Sequence, residues 1–185
     1  TVAIIWGSAF AVQRVAGRWM DPFTFNGLRF LLGGILLLPF TRIFDRTLPL
    51  TPVQPSRKRI VWLTYVPLAG LLLFGAGGVQ QAGLETTTAG NAGFITSLYV
   101  VIVPILLAIF WKQHVRWTIW AAAGLATVGS LLLSTGGKFQ LASGDLLELI
   151  GAGLWALHLI LVGRAMKELP VIKFSVGQYL VAGAL

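Results

Sequence analysis

The sequence contains no cysteine and little charge. Of its 185 residues none is cysteine, 11% are charged and six are acidic. The missing thiols exclude disulfides and thiolate metal sites within this chain, although they do not identify the redox compartment. With 56% hydrophobic residues and a mean hydropathy of +0.82, this composition argues against a soluble globular protein.

The sequence is rich in long apolar stretches. Residues 60–84, 86–111 and 117–137 contain no charged side chain. A helix of about 20 residues crosses a hydrocarbon layer about 30 Å thick and satisfies its own backbone hydrogen bonds there. Further spans are predicted at residues 1–19, 23–44 and 146–163, and a seventh begins near residue 174. The fold class predicted is an all-α, polytopic transmembrane helix bundle embedded in a lipid bilayer.

The basic residues indicate topology rather than a nucleic-acid partner. The net charge is +8, but lysine and arginine fall in short gaps between apolar runs. One set of alternate loops carries Arg42, Arg46, Arg57, Lys58, Arg59, Lys112, Arg116, Arg164, Lys167 and Lys173; the other carries Arg18 and Lys138. The positive-inside rule therefore predicts a multi-pass protein of the cytoplasmic (inner) membrane with the first set of loops in the cytoplasm. Residues 45–59 form the longest of these predicted loops.

An internal repeat is visible at an offset of 149 residues. It aligns residues 1–36 with residues 150–185 without a gap, so that Trp6 meets Trp155 and Gly34 meets Gly183. If spans six and seven repeat spans one and two, the repeating unit has five spans and its second copy is inserted upside down. The predicted domains are a first repeat at residues 1–137 and the start of a second at residues 138–185.

Both ends of the sequence lie inside apolar runs, and the first residue is not methionine. We therefore expect a fragment of a longer protein, truncated at about seven spans. Its missing C-terminal half is an expected partner. No signal-peptide pattern precedes the first span, which we expect to be retained.

Several segments resemble a known transporter family. These are WGSAFAVQRVAG, LRFLLGGILLLP, QQAGLETTTAGNAGFITSLYVVIVPILL and GDLLELIGAGLWALHLILVGR, and together they cover nearly the whole chain. They resemble the EamA-type branch of the drug/metabolite transporter superfamily. That resemblance implies a ten-span permease of two inverted five-span repeats, which exports or exchanges amino acids, other metabolites or toxic compounds. Proton coupling, exchange for a counter-substrate and simple facilitation are the alternatives for its energy source.

Uncharged polar and aromatic side chains inside the spans are the first candidates for a small-molecule site, because such groups are costly in lipid unless they face protein or water. The cavity-lining candidates are Trp6, Gln13, Gln80, Gln81, Asn91, Thr96, Tyr99, Trp155 and His158. The alternative for each is a packing role or a hydrogen bond to a neighbouring backbone. Thr96 and Tyr99 share one helix face, from which Asn91 points away.

The candidates for charge at membrane depth are Arg14, Arg29 and Glu148. Arg14 and Arg29 could hold a substrate carboxylate bidentately, or else reach lipid headgroups or pair with Asp21 or Glu148. Glu148 could bind a cation or a proton, or simply reach water at the membrane surface.

Proline and glycine interrupt the third and fourth spans. Pro67 and Pro104 each remove a helical hydrogen bond and are the candidates for a bend that gates access. Interrupted spans often mark a transporter's binding site, although glycines also serve simply to bring helices close together.

The sixth span has two predicted faces. The face assigned to the bundle interior comprises Gly144, Glu148, Gly151, Trp155, His158 and Val162; the face assigned mostly to lipid comprises Leu147, Leu154 and Leu161.

These patterns favour a transporter over an enzyme. The sequence shows no catalytic constellation, no metal-binding cluster and no nucleotide-binding loop, so we expect neither an enzyme nor a metal or cofactor. The leading hypothesis is a secondary transporter that exposes a central cavity alternately to each side of the membrane. The alternative is a membrane scaffold or lipid-handling protein that does not transport.

Overall fold

The computed structural model describes residues 2–44, 55–136 and 140–185, with side chains at 8–43, 59–133, 136 and 140–185. Throughout these residues the chain is helical and forms no strand. The helices are α1 (Val2–Ala16), α2 (Pro22–Leu37), a 3₁₀ turn (Leu38–Phe40), α3 (Thr41–Phe44), α4 (Pro55–Thr86), α5 (Ala89–Ser97), α6 (Tyr99–Trp111), α7 (Trp117–Thr135), α8 (Asp145–Ala165) and α9 (Val171–Ala184). The prediction of an all-α polytopic bundle is confirmed.

In the part of the chain that the structure describes, four segments are long and apolar enough to cross a membrane: Pro22–Ile43, Arg59–Thr86, Ala89–Trp111 and Asp145–Ala165. Two shorter apolar helices, Trp117–Leu133 and Val171–Ala184, accompany them. Large apolar side chains on these helices point outward; Leu125 is 78% and Leu133 is 89% exposed. Such outward apolar faces are stable when lipid surrounds them.

One predicted boundary was wrong, and the second span contains an interruption that was not predicted. The predicted loop at residues 45–59 is shorter, because α4 begins at Pro55. Proline is favoured in the first turn of a helix, where its missing N–H would have no intrahelical acceptor. Residues 45–54 lie outside the described part of the chain. The second span is not one continuous α-helix, since a 3₁₀ turn containing Pro39 separates α2 from α3.

The fourth span divides at Leu98. The Leu98 N–H bonds to the carbonyl oxygen of Ile95 at 3.1 Å, a tighter pattern than that of an α-helix. The adjacent Ser97 hydroxyl donates to the carbonyl oxygen of Phe94 at 2.6 Å, and such side-chain bonds compete with the helical pattern. This break lies six residues before Pro104, which is inside α6. Helix α4, in contrast, continues through Pro67.

The chain forms two compact units, and the first comprises Thr1–Pro22 and Ala76–Ala156. Within it α5 and α6 pack on α7, and α1 packs on α5. The backbones of α4 and α8 meet closely beside Gly144, where an added Cβ would lie 2.2 Å from the carbonyl oxygen of Gly83. Only glycine fits at such a contact, as is common between membrane helices.

The second unit comprises Phe23–Gly75 and Leu157–Leu185. Its core contains Val61, Val66, Ala69, Ala165, Leu169 and Phe174, with Leu161 and Val162 among the partly buried residues packed against it. Leu161 therefore contacts protein rather than lying on a lipid-facing stripe. A Cβ on Gly70 would lie 2.5 Å from a Val181 methyl, so glycine again permits the contact. Neither unit corresponds to a predicted repeat, and the domain division at residue 137 stays a prediction.

Candidate functional site

A chain of polar side chains crosses the interior of the first unit. The Gln80 amide Nε2 donates to the hydroxyl oxygen of Thr96 at 2.9 Å, and that hydroxyl donates to Oε2 of Glu148 at 3.2 Å. Each residue comes from a different candidate span, namely α4, α5 and α8. Gln80 is 3% exposed and Glu148 is fully buried. We call these three residues the Glu148 cluster.

The second carboxyl oxygen of Glu148 is not satisfied by the protein. Among the described residues, Oε1 has no hydrogen-bond partner, and no lysine or arginine forms an ion pair with this carboxyl. The space beside it exists because Gly83 has no side chain: a Cβ there would lie 3.0 Å from Oε1. The cluster therefore contains a buried carboxyl with one hydroxyl donor.

A second polar group lies at the start of α8 and is better satisfied. The Asp145 carboxylate accepts from the Thr87 hydroxyl, from the Asn91 amide at 3.2 Å and from the Ala142 backbone N–H at 2.8 Å. The same Asn91 amide also donates to the carbonyl oxygen of Gln140 at 2.8 Å. The contact with Ala142 resembles the reach-back half of a capping box. We call Thr87, Asn91 and Asp145 the Asp145 cluster; it links the start of α8 to α5 and to the connection between α4 and α5.

An open cavity of about 400 Å³ lies elsewhere in the first unit. Its lining comprises Arg14, Gly17, Arg18, Gln81, Leu84 and Glu85. Gln81 is fully buried, and its Nε2 donates to the backbone oxygen of Gln13 at 2.8 Å. The arginines and Glu85 are exposed, so the cavity carries both signs of charge. Guanidinium groups one helical turn apart are suited to a carboxylate or phosphate.

His158 belongs to the second unit. Its Nε2 lies 2.8 Å from Oε1 of Gln178, and both side chains are buried. Because an amide oxygen only accepts hydrogen bonds, this orientation places the proton of the bond on Nε2. Gln178 was missed by the sequence analysis, although a glutamine in an apolar segment is the same signal that singled out Gln80 and Gln81.

Arg29 is also in the second unit and has local partners. Its guanidinium donates to Oδ1 of the buried Asn26 one turn earlier and lies over the rings of Phe25 and Phe30, at 5.5 and 4.8 Å from their centroids. Such stacking on aromatic faces stabilises a guanidinium in apolar surroundings. The alternative pairing of Arg29 with Asp21 or Glu148 stays a prediction.

The aromatic candidates are placed as follows. Tyr99 and Trp155 are half-buried. The side chain of Trp6 lies outside the described part of the structure, so the predicted pairing of Trp6 with Trp155 stays a prediction.

The structure thus brings together only some of the predicted site residues. Gln80, Thr96 and Glu148 meet in one cluster, whereas Gln81 meets Gln13 beside the cavity with Arg14. The Asn91 amide donates a hydrogen bond to the Asp145 carboxylate. The sequence analysis missed Asp145, although it is the first residue of a helix, where carboxylates are common. Within the described residues, no group of three histidine, cysteine, aspartate or glutamate side chains could hold a metal ion.

Comparison with known families finds a match for most of the chain. The model of the EamA-like transporter family matches residues 1–135. The chain belongs to this family. Its resemblance to EamA-type transporters, apparent from the sequence motifs, is therefore confirmed.

Curated relatives of this EamA-family chain are named as transporters. An uncharacterized transporter of Archaeoglobus fulgidus is 34% identical over 163 residues, which are 88% of this chain and 47% of the relative. The uncharacterized inner membrane transporter YedA of Escherichia coli is 32% identical over 159 residues, 83% of this chain and 48% of YedA. YdfC of Bacillus subtilis, also an uncharacterized transporter, is 25% identical over 177 residues. The chain spans about half the length of the first two relatives, and no solved structure matches it.

The family and these relatives are named as transporters and not as enzymes. The apolar helices agree with contact to a lipid bilayer.

Proposed function

We propose that the protein is a secondary transporter that moves small organic solutes across the cytoplasmic membrane by alternating access. The observation that carries this proposal is the Glu148 cluster, in which three candidate spans of an EamA-family chain direct polar side chains into one buried place. Buried polar groups on membrane spans are costly, and they commonly mark a substrate or ion pathway.

The substrate class proposed is that of small metabolites, amino acids and drug-like compounds. The mixed charge of the cavity beside Arg14 and Glu85 supports solutes that carry both a carboxylate and an ammonium group. The aromatic and apolar surroundings of the spans would accept a hydrophobic side chain of such a solute.

Solute exchange tests this proposal. The protein is expressed from its complete gene, reconstituted in proteoliposomes and tested for exchange with a panel of radiolabelled amino acids and metabolites. We expect at least one panel member to accumulate, and Gln80→Ala to reduce its uptake. A well-folded protein with no flux for any panel member, together with a stable protein partner in detergent, would support the non-transporting scaffold instead.

The proposed orientation places the connection containing Lys112 in the cytoplasm and that containing Lys138 outside. Because this chain has no cysteine, single cysteines report cleanly on the two ends of α7. A membrane-impermeant maleimide added to intact cells should label Ser143→Cys but not Gln113→Cys, both at exposed positions. The reverse labelling pattern would contradict the proposed orientation.

A further inference from the structure

We propose that Glu148 is a proton-binding site that couples solute movement to proton movement; this coupling role rests on the proposed transport function. The Glu148 carboxyl group is completely buried and accepts a hydrogen bond from one hydroxyl donor.

An ionised carboxylate is poorly supported at this position. It would have one hydrogen bond, from Thr96, and no cation among the described residues to balance its charge. Ionised groups in apolar surroundings are stable only when they are paired and well hydrogen-bonded, and otherwise they become neutral. The closed pocket therefore favours the neutral acid.

The hydrogen-bond directions place the proton on one oxygen. Thr96 accepts from Gln80 and so donates its own hydrogen to Oε2 of Glu148. Oε2 is thus the carbonyl oxygen of the acid, and Oε1, beside Gly83, carries the proton. On release, the O–H bond at Oε1 breaks, its electron pair stays on the carboxylate, and the proton passes to water that reaches the pocket from one side of the membrane.

The other charged groups near the pocket do not neutralise Glu148. On the same helix, Asp145 bears a like charge and is held by its own donors. On α4, Glu85 is exposed and is also acidic, while α5 contains no titratable residue. On α1, which packs on α5, Arg14 is exposed and lines the separate cavity.

A proton fits the pocket better than a sodium ion. Sodium requires several oxygen ligands around one point, whereas the hydrogen-bond partner of the Glu148 carboxyl among the described residues is one hydroxyl, on Thr96, which already accepts from Gln80. A proton needs only the unpartnered oxygen of Glu148.

Infrared difference spectroscopy tests the proton site without requiring transport. We compare the wild-type protein, expressed from its complete gene, with Glu148→Gln and with Glu168→Gln, which makes the same chemical change in the connection between α8 and α9. At pH 7, where carboxyl groups in water are ionised, the wild type and Glu168→Gln should show the C=O stretching band of one neutral carboxylic acid that Glu148→Gln lacks. Identical spectra for wild type and Glu148→Gln would overturn the proposal, as would loss of the band on adding sodium at constant pH.

A second variant, Thr96→Val, tests the proton site even if the Glu148→Gln protein does not insert into the membrane. Thr96→Val removes the donor to Oε2, so the band should move to the higher frequency of a carbonyl without a hydrogen bond. An unchanged spectrum in Thr96→Val would overturn the assignment of the proton to Oε1.

The coupling role is measured separately from the proton site. Proteoliposomes containing a trapped pH-sensitive dye report proton movement when a transported solute is added. Glu148→Gln should move no protons when the solute is added, whereas Glu168→Gln should move both solute and protons. Solute-dependent proton movement in Glu148→Gln would overturn the coupling role, whereas an absence of solute exchange in the wild type would count against the proposed function and leave the infrared result intact.

Discussion

Asp145 and Glu148 are both buried carboxyl groups in the first turn of α8, yet their surroundings differ. Asp145 accepts hydrogen bonds from a hydroxyl, an amide and a backbone N–H, whereas Glu148 accepts one from Thr96. A carboxylate with three donors holds secondary structures together. We expect one with a single donor to contribute less to stability and to remain available for a ligand, so we propose different functions for these neighbouring acids.

Asp145→Ala should have the largest effect on the free energy of unfolding. This change leaves the Thr87 hydroxyl and the Ala142 N–H without their acceptor and should lower the free energy of unfolding by roughly 2–4 kcal/mol. Leu146→Ala, at the next and exposed residue, should change it by less than about 0.5 kcal/mol. Unfolding in mixed detergent micelles measures both. An Asp145→Ala protein as stable as the Leu146→Ala control would show that the Asp145 cluster is not structural.

An intermediate effect is expected from Thr96→Val. The buried Gln80 amide loses its acceptor and Glu148 loses its donor, which should cost roughly 1–2 kcal/mol. Thr127→Val is the matched control, because that hydroxyl donates only to the backbone oxygen of Ala123 in its own helix. The same unfolding assay should show less than about 0.5 kcal/mol for the control. Equal losses would mean that the Glu148 cluster contributes no more than an ordinary helical threonine.

The smallest effect on stability is expected from Glu148→Gln. An amide has nearly the size of the neutral acid and still accepts from Thr96, so the cost should be below about 0.5 kcal/mol. The same carboxyl-to-amide change in Asp145→Asn should cost more, because it turns an NH₂ group toward donors. Equal losses of stability in the two variants would contradict the claim that Asp145 contributes more to folding than Glu148.

The helical architecture follows from the sequence because apolar length and internal backbone hydrogen bonding leave a membrane segment few alternatives. Local breaks are harder to predict. The division at Leu98 depends on the Ser97 hydroxyl and a tightened turn, whereas the expected bend was assigned to Pro104. A proline shows where a helical hydrogen bond is lost, but it does not determine at which nearby turn the helix is interrupted.

The members of the candidate site were partly predictable, but their contacts were not. Helical periodicity identifies the residues that share one face, so Gln80, Thr96 and Glu148 could each be proposed separately. Which faces meet depends on the close contact of Gly83 with Gly144, a tertiary property. For the same reason Asn91 was assigned to a cavity, although it bonds to Asp145 in the structure.

Solute-driven proton movement in proteoliposomes tests the central claim most directly. With the wild-type protein, a transported solute should move across the membrane and change the internal pH, and Glu148→Gln should lose this change of pH. Wild-type vesicles that hold folded protein but move neither solute nor protons would contradict the account.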